Sequence, residues 1–142
     1  MTPRSPLRAL LTATFALGTI AWSAVVLDVS ISPNPPRLQP AGVAEWWPAL
    51  AHFGMYGGLT FLLVMTMMSL RRAAAPSKRQ LAIAVGAAAG YGVAMEIGQA
   101  FVPSREASIA DVGINLLGAV CGAGAAAGLA SACARLARAR AR

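Results

Sequence analysis

Charge is what this chain has least of. Only 12% of its 142 residues are Asp, Glu, Lys or Arg, while 57% are hydrophobic. Soluble domains carry about 25% charged residues, so a water-facing surface cannot be assembled from this composition. The mean hydropathy of +0.61 says the same. Histidine occurs once, as His52, and cysteine twice, as Cys121 and Cys133. So sparse a set contains no cluster with metal-ligand spacing. The cysteines stand twelve residues apart on one apolar segment. That is about 18 Å along a helix, too far for a disulfide within it, and they are expected as small core residues. Aromatics make up 6%, and the basic residues form no face, so the net charge of +7 does not point to nucleic acid. No cofactor motif is present. The length suits a single domain, residues 1–142.

What is present is four long apolar runs, at about residues 9–27, 50–70, 81–102 and 109–134. The shortest, as a helix, covers about 28 Å, close to the thickness of a bilayer core. An all-α, four-helix transmembrane bundle is therefore expected, since helices satisfy their own backbone in lipid. The first run also suits a signal peptide. It is longer than a usual signal core and no small-x-small cleavage site follows, so a retained span is expected. Ten of the twelve Lys and Arg fall before the first run, between the second and third, or after the fourth. Arg37 and Arg105 are the exceptions. The positive-inside rule then puts both termini in the cytoplasm, with the protein in the cytoplasmic membrane.

The acids have a different distribution. Asp28, Glu45, Glu96, Glu106 and Asp111 all fall in the outer loops or toward the outer ends of the runs. The first outer loop carries SPNPPRLQP, whose prolines forbid a regular helix, and an extended cap is expected. Trp46 and Trp47 stand where an interfacial belt is expected. The second outer loop, about residues 103–108, is so short that runs three and four must form an antiparallel hairpin.

Polar residues concentrate where the runs meet this outer level. His52 and Tyr56 are four apart, Glu96 and Gln99 three apart, and Asp111 and Asn115 four apart. Each spacing puts both residues on one helix face. A lipid-facing carboxylate costs at least about 2.5–3.5 kcal/mol at the membrane centre on insertion scales and less near the interface, so Glu96 is expected to face inward and to be paired or protonated. Arg105, in the tight loop, can reach Glu96 or Asp111, or turn upward to an anion. Ser108 is a plausible N-cap, with Asp111 at the positive end of the helix dipole. Asn115 lies too deep to cap, and Gln99 or Glu96 across the hairpin is its expected partner. Gly86-x-x-x-Gly90, Gly118-x-x-x-Gly122 and Gly124-x-x-x-Gly128 let backbones approach closely, which points to runs three and four as the tight centre, within a chain or in a helix-mediated oligomer.

These residues carry a resemblance. HFGMYG at His52 and EIGQAFVPSREASIADVGINLLGAVCG from Glu96 to Gly122 are similar to the VanZ-like membrane proteins. The family's H-F-x-x-Y, E-x-x-Q-x-F-x-P-x-R and S-x-x-D-x-x-x-N-x-x-G-x-x-x-G are matched letter by letter. Those letters are His52, Phe53, Tyr56, Glu96, Gln99, Phe101, Pro103, Arg105, Ser108, Asp111, Asn115, Gly118 and Gly122. The match covers about half the chain. One departure is Pro48-Ala49, where the family often has Asp-Lys before the histidine. The resemblance implies a small membrane protein, and its name-giving member is associated with low-level resistance to the glycopeptide teicoplanin.

The leading expectation for function is a site for an anionic envelope lipid or a lipid-linked cell-wall precursor. Arg105, helped by His52, would hold its phosphate or carboxylate; Glu96, Gln99 and Asn115 would fix Arg105 and accept hydrogen bonds from sugar or amide. The alternatives are an intramembrane hydrolase or transferase, with Glu96 as base and His52 as acid, and a structural subunit of a cell-envelope complex.

Overall fold

The computed structural model of the chain describes residues 6–33 and 46–141. Most of the proline-rich loop, and Arg4, Arg37, Glu45 and Arg142, lie outside the described residues. Among the described residues the fold is all-α, with helices α1 (Pro6–Ile31), α2 (Trp47–Arg71), α3 (Lys78–Gln99) and α4 (Ile109–Arg140). All four are long and apolar enough to cross a membrane.

Local chemistry sets the helix ends. α2 starts with Pro48 in its first turn, where a missing N–H is no loss. It stops at Arg72, whose left-handed backbone (φ 55°) turns its N–H onto the carbonyls of Met68 and Ser69. A capping box opens α3: Ser77 Oγ accepts from the Gln80 N–H, and Gln80 Oε1 accepts from the Ser77 N–H at 2.9 Å. That box moves the start to Lys78, ahead of the apolar run. α3 ends at Gln99 rather than near residue 102: the N–H groups of Phe101 and Val102 donate three residues back, to Gly98 and Gln99, in a tight turn that leads into Pro103. α4 carries the terminal arginines out as helix to Arg140.

Packing follows the small residues. α2 and α4 run parallel and share the most extensive interface. A Cβ on Gly118 would collide with the backbone of Phe53, and one on Gly122 with the backbone of Gly57. The tight centre is therefore α2 against α4, not α3 against α4 as the glycine spacing suggests. Gly86, Gly90, Gly124 and Gly128 face open space. Spacing shows that small residues share a stripe but not which helix the stripe meets. α3 still forms the expected antiparallel hairpin with α4, while α1 packs on α2 and α3 and has no contact with α4.

Between helices in lipid the drive is close packing and hydrogen bonding rather than apolar burial. α1 shows this. Trp22 Nε1 donates to the Met55 carbonyl at 2.8 Å, the Thr19 and Thr66 hydroxyls meet at 3.0 Å, and the Tyr91 hydroxyl donates to the Ser23 carbonyl at 2.8 Å. The interior holds Val64, Ala84, Ala123 and Ala126 at one level, and Val26, Leu59, Ala88 and Ala119 nearer the polar end. The outside is apolar instead: Leu17, Ile20, Ile97, Leu117 and Leu136 are all exposed. Such a surface suits lipid, and the chain is an integral membrane protein.

Cys121 and Cys133 are free and exposed, not core residues. The buried stripe of α4 runs through Asn115, Gly118, Gly122, Ala126 and Ala130, and both cysteines lie off it.

Gly122→Ala is expected to cost about 1–3 kcal/mol through overpacking against α2. Gly124→Ala, with no neighbour within 4 Å, is expected to leave stability level or raised. Denaturation of both variants in detergent micelles checks the difference. Equal effects would mean that α2 and α4 do not touch there.

Candidate functional site

The polar cluster forms at the end of the bundle where α1 and α3 finish and α2 and α4 begin. Arg71, Arg72, Lys78 and Arg79 occupy the opposite end, with Arg8 lining the same groove as Arg72. Three helices supply the cluster. His52 lies in the first two turns of α2, Glu96 in the last turn of α3, and Asp111 and Asn115 in the first two turns of α4.

Glu96 is its centre, with only 7% of its side chain exposed. Oε2 accepts the backbone N–H of Ser108 at 2.9 Å. Ser108 caps α4, its hydroxyl accepting the Asp111 N–H at a long 3.4 Å. The carboxylate thus takes a donor at the positive end of the α4 dipole, where negative charge is favoured. It also ties α3 to α4 directly across the hairpin. The other oxygen, Oε1, is buried with no hydrogen-bond partner and lies 4.0 Å from His52 Nδ1.

Asn115 pairs with His52, not with Gln99 or Glu96: its Oδ1 lies 2.9 Å from Nδ1 of the imidazole. The hairpin expectation misses this because helix spacing sets a face but not its rotation toward a third helix. The amide Nδ2 of Asn115 is buried without a partner. A Cβ on Gly92 would stand 3.2 Å from that nitrogen and 3.1 Å from the Tyr56 ring. Glycine is therefore what admits both side chains against α3. Tyr56 is buried one turn below His52, its hydroxyl without a hydrogen-bond partner. Gln99 is buried one turn beyond Glu96.

Arg105 stands apart from the acids. Its Nε donates to the Ser32 carbonyl at 3.2 Å and its Nη2 to the Val29 carbonyl. Ser104 adds a bond from its hydroxyl to the Pro33 carbonyl at 2.9 Å. The last carbonyls of a helix lack intrahelical donors and carry the negative end of the dipole, so a guanidinium satisfies them twice over. The expected contact of Arg105 with Glu96 or Asp111 is not made, and the guanidinium clamps α1 to the α3–α4 turn instead. Among the described residues the only acidic and basic side chains within 4.0 Å of each other are Glu96 and His52, a pair that is ionic only with the imidazole protonated.

One grouping cannot be read from linear spacing. His52, Glu96 and Asp111 each offer a ligand atom, and these atoms lie within 4.8 Å of one another. Their separation along the chain hides this, because only the fold brings three helix ends together. Ser108 is a further contributor, through its backbone N–H, and its place as a cap was legible.

Long apolar helices around one buried ionisable cluster define a small polytopic membrane protein with a polar site at one end of its bundle. The family model described as VanZ/LLP1 matches residues 10–131, and the chain belongs to that family. No curated protein and no solved structure matches it.

Arg105→Ala is expected to destabilise the bundle by about 1.5–3 kcal/mol, the range for hydrogen bonds to a charged group. Backbone exchange should rise at Val29 to Ser32 and stay unchanged around Gly122. Hydrogen exchange with mass spectrometry in detergent reads both regions, and unchanged protection of the α1 end would remove the clamp.

Proposed function

We propose that the protein binds the polar head group of an envelope lipid or lipid-linked cell-wall precursor at this cluster, on the extracytoplasmic side of the cytoplasmic membrane. The observation that carries this reading is the buried, unpartnered Glu96 Oε1, with Asn115 Nδ2 unpartnered beside it. A buried polar group without a partner costs about 1–3 kcal/mol, and more when charged. Within a membrane bundle that cost is sustained where a ligand or water completes the bonding. Hydroxyl and amide groups of a sugar-bearing head group suit the two: Glu96 accepts, and Asn115 donates. His52, with 14% of its side chain exposed, and the half-buried Asp111 give the cluster a way out to the interface. Orientation follows from the basic end, which the positive-inside rule assigns to the cytoplasm.

The phosphate contact is not assigned to Arg105, whose donors are engaged at α1. A link to teicoplanin fits this reading, since a glycopeptide carrying a lipid tail would act at the same depth.

Expression of wild type, His52→Ala and Asn115→Leu in a teicoplanin-sensitive host tests it, with membrane levels checked by blot and lipids co-purified in native nanodiscs identified by mass spectrometry. Wild type is expected to enrich one head-group class over the bulk membrane and to raise teicoplanin tolerance. Both variants should insert normally, lose the enrichment at least tenfold and lose the protection. Equal lipid profiles for all three proteins would contradict binding at the cluster. Conversion of an added lipid to product, with Glu96 as base and His52 as acid 4.0 Å apart, would replace binding with catalysis.

A further inference from the structure

The cluster is a paradox for an anionic head group. Two carboxylates, Glu96 and Asp111, face one imidazole, and the nearby guanidinium of Arg105 is turned away to α1. As it stands the site repels phosphate. It also leaves a buried carboxylate oxygen without a hydrogen-bond partner, 4.0 Å from His52 Nδ1.

We propose that His52, Glu96 and Asp111 form a divalent-cation site, with Asn115 Oδ1 as a fourth ligand. The second half of the proposal rests on the head-group reading above: the cation bridges these side chains to the phosphate of the bound lipid.

The geometry suits an ion. Three atoms within 4.8 Å of one another share a centre no more than about 2.8 Å from each, the circumradius of a triangle with those sides. Zinc takes nitrogen and oxygen ligands at about 2.0–2.2 Å, and calcium takes oxygen at about 2.3–2.6 Å. Side-chain shifts of under about 1 Å bring these three atoms to bonding distance of one ion. One imidazole with two carboxylates and an amide oxygen favours a first-row metal such as zinc or manganese over magnesium. Each ligand has a supporting contact or place: Glu96 is held through Oε2 by the Ser108 N–H, leaving Oε1 free to ligate. Asp111 is fixed in the first turn of α4. On binding, the cation takes the lone pair of His52 Nδ1 in place of its proton, and Asn115 Oδ1, 2.9 Å from that nitrogen, turns from hydrogen-bond acceptor to ligand. The ligands come from α2, α3 and α4, so the ion also pins three helices at one end. A further coordination position, as five-coordinate zinc or octahedral manganese allows, would take a phosphate oxygen, with the half-buried Asp111 marking the way in.

His52 is the only histidine in the chain, which gives a readout on the wild-type protein. The untagged full-length protein in phosphatidylcholine nanodiscs is titrated with Zn2+ and with Mn2+, each alone, by calorimetry. Carbethoxylation of His52 is followed by mass spectrometry in parallel. One metal per chain is expected, with His52 modification slowed at least tenfold at saturation. Glu96→Gln, which keeps an oxygen for the Ser108 N–H, and Asp111→Asn should each weaken binding at least tenfold. Glu106→Gln, at an exposed acid outside the cluster, should bind as wild type does. Absence of stoichiometric binding, or equal binding by all three variants, overturns the site whatever the lipid experiments give. The bridging half is read separately, with a polyprenyl phosphate and with phosphatidic acid added to the nanodiscs at equal mole fraction. Retention of either is expected to fall at least tenfold on chelation, and preference between them reports which tail the protein takes. Retention unchanged by chelator overturns the bridge and leaves head-group binding standing. Metal binding with no lipid retained overturns the head-group reading and leaves the cation site standing.

Discussion

One hydrogen bond organises the polar end of this bundle: the Ser108 N–H onto Glu96 Oε2. It closes the α3–α4 hairpin, satisfies a helix-end donor that lipid could not, and fixes the carboxylate so that its second oxygen points at His52. The rest of the cluster is arranged around that fixed oxygen. α2 brings His52 to it only because Gly118 and Gly122 let α2 and α4 approach at backbone distance. Asn115 stands on the same face of α4 as those glycines, so the contact that draws the two helices together also sets the His52–Asn115 pair. Glycine at position 92 leaves room on α3 for Asn115 and Tyr56. Packing and site are therefore one construction. The same small residues that hold the bundle together deliver its ionisable groups to one place.

Charge is divided between the two ends with little overlap. Basic residues gather where α2 turns into α3 and along the end of α4, and the described acids, buried Glu96 among them, lie at the other end. Arg105 is the described exception, and it is engaged by the carbonyls that end α1. That engagement matters for chemistry as much as for packing, because it removes the one guanidinium near the acids. An acidic pocket in an apolar bundle needs a compensating proton, cation or hydrogen-bonding ligand. The membrane lets none of these be supplied casually by bulk water.

Most of the fold was legible in the sequence, because hydropathy over twenty residues is a strong signal and each apolar run became a helix. The boundaries moved where side-chain capping outweighed hydropathy, as at Ser77 and Gln80. The residues of the cluster were legible too, since polar side chains amid apolar runs stand out. Their partners were not. Spacing of three or four places Glu96 with Gln99 and Asp111 with Asn115 on shared faces, but it leaves free how far each helix rotates toward its neighbours. The His52–Asn115 pair, the Arg105 clamp on α1 and the meeting of His52, Glu96 and Asp111 all depend on that rotation. The cysteines were misread for the same reason: an apolar run does not say which of its faces is buried.

The central claim is that the charge on Glu96 is kept for a ligand and not for the stability of the bundle. Its most direct test is the unfolding free energy of wild type and Glu96→Gln, measured side by side in bicelles without added ligand. Gln preserves the acceptor for the Ser108 N–H and removes only the charge. The account predicts a variant as stable as wild type, or more stable, because an uncompensated buried charge has been removed. A variant several kcal/mol less stable, in the range of about 3–5 kcal/mol seen when a buried ion pair is broken, would contradict it. In that case the carboxylate would be a structural partner of His52.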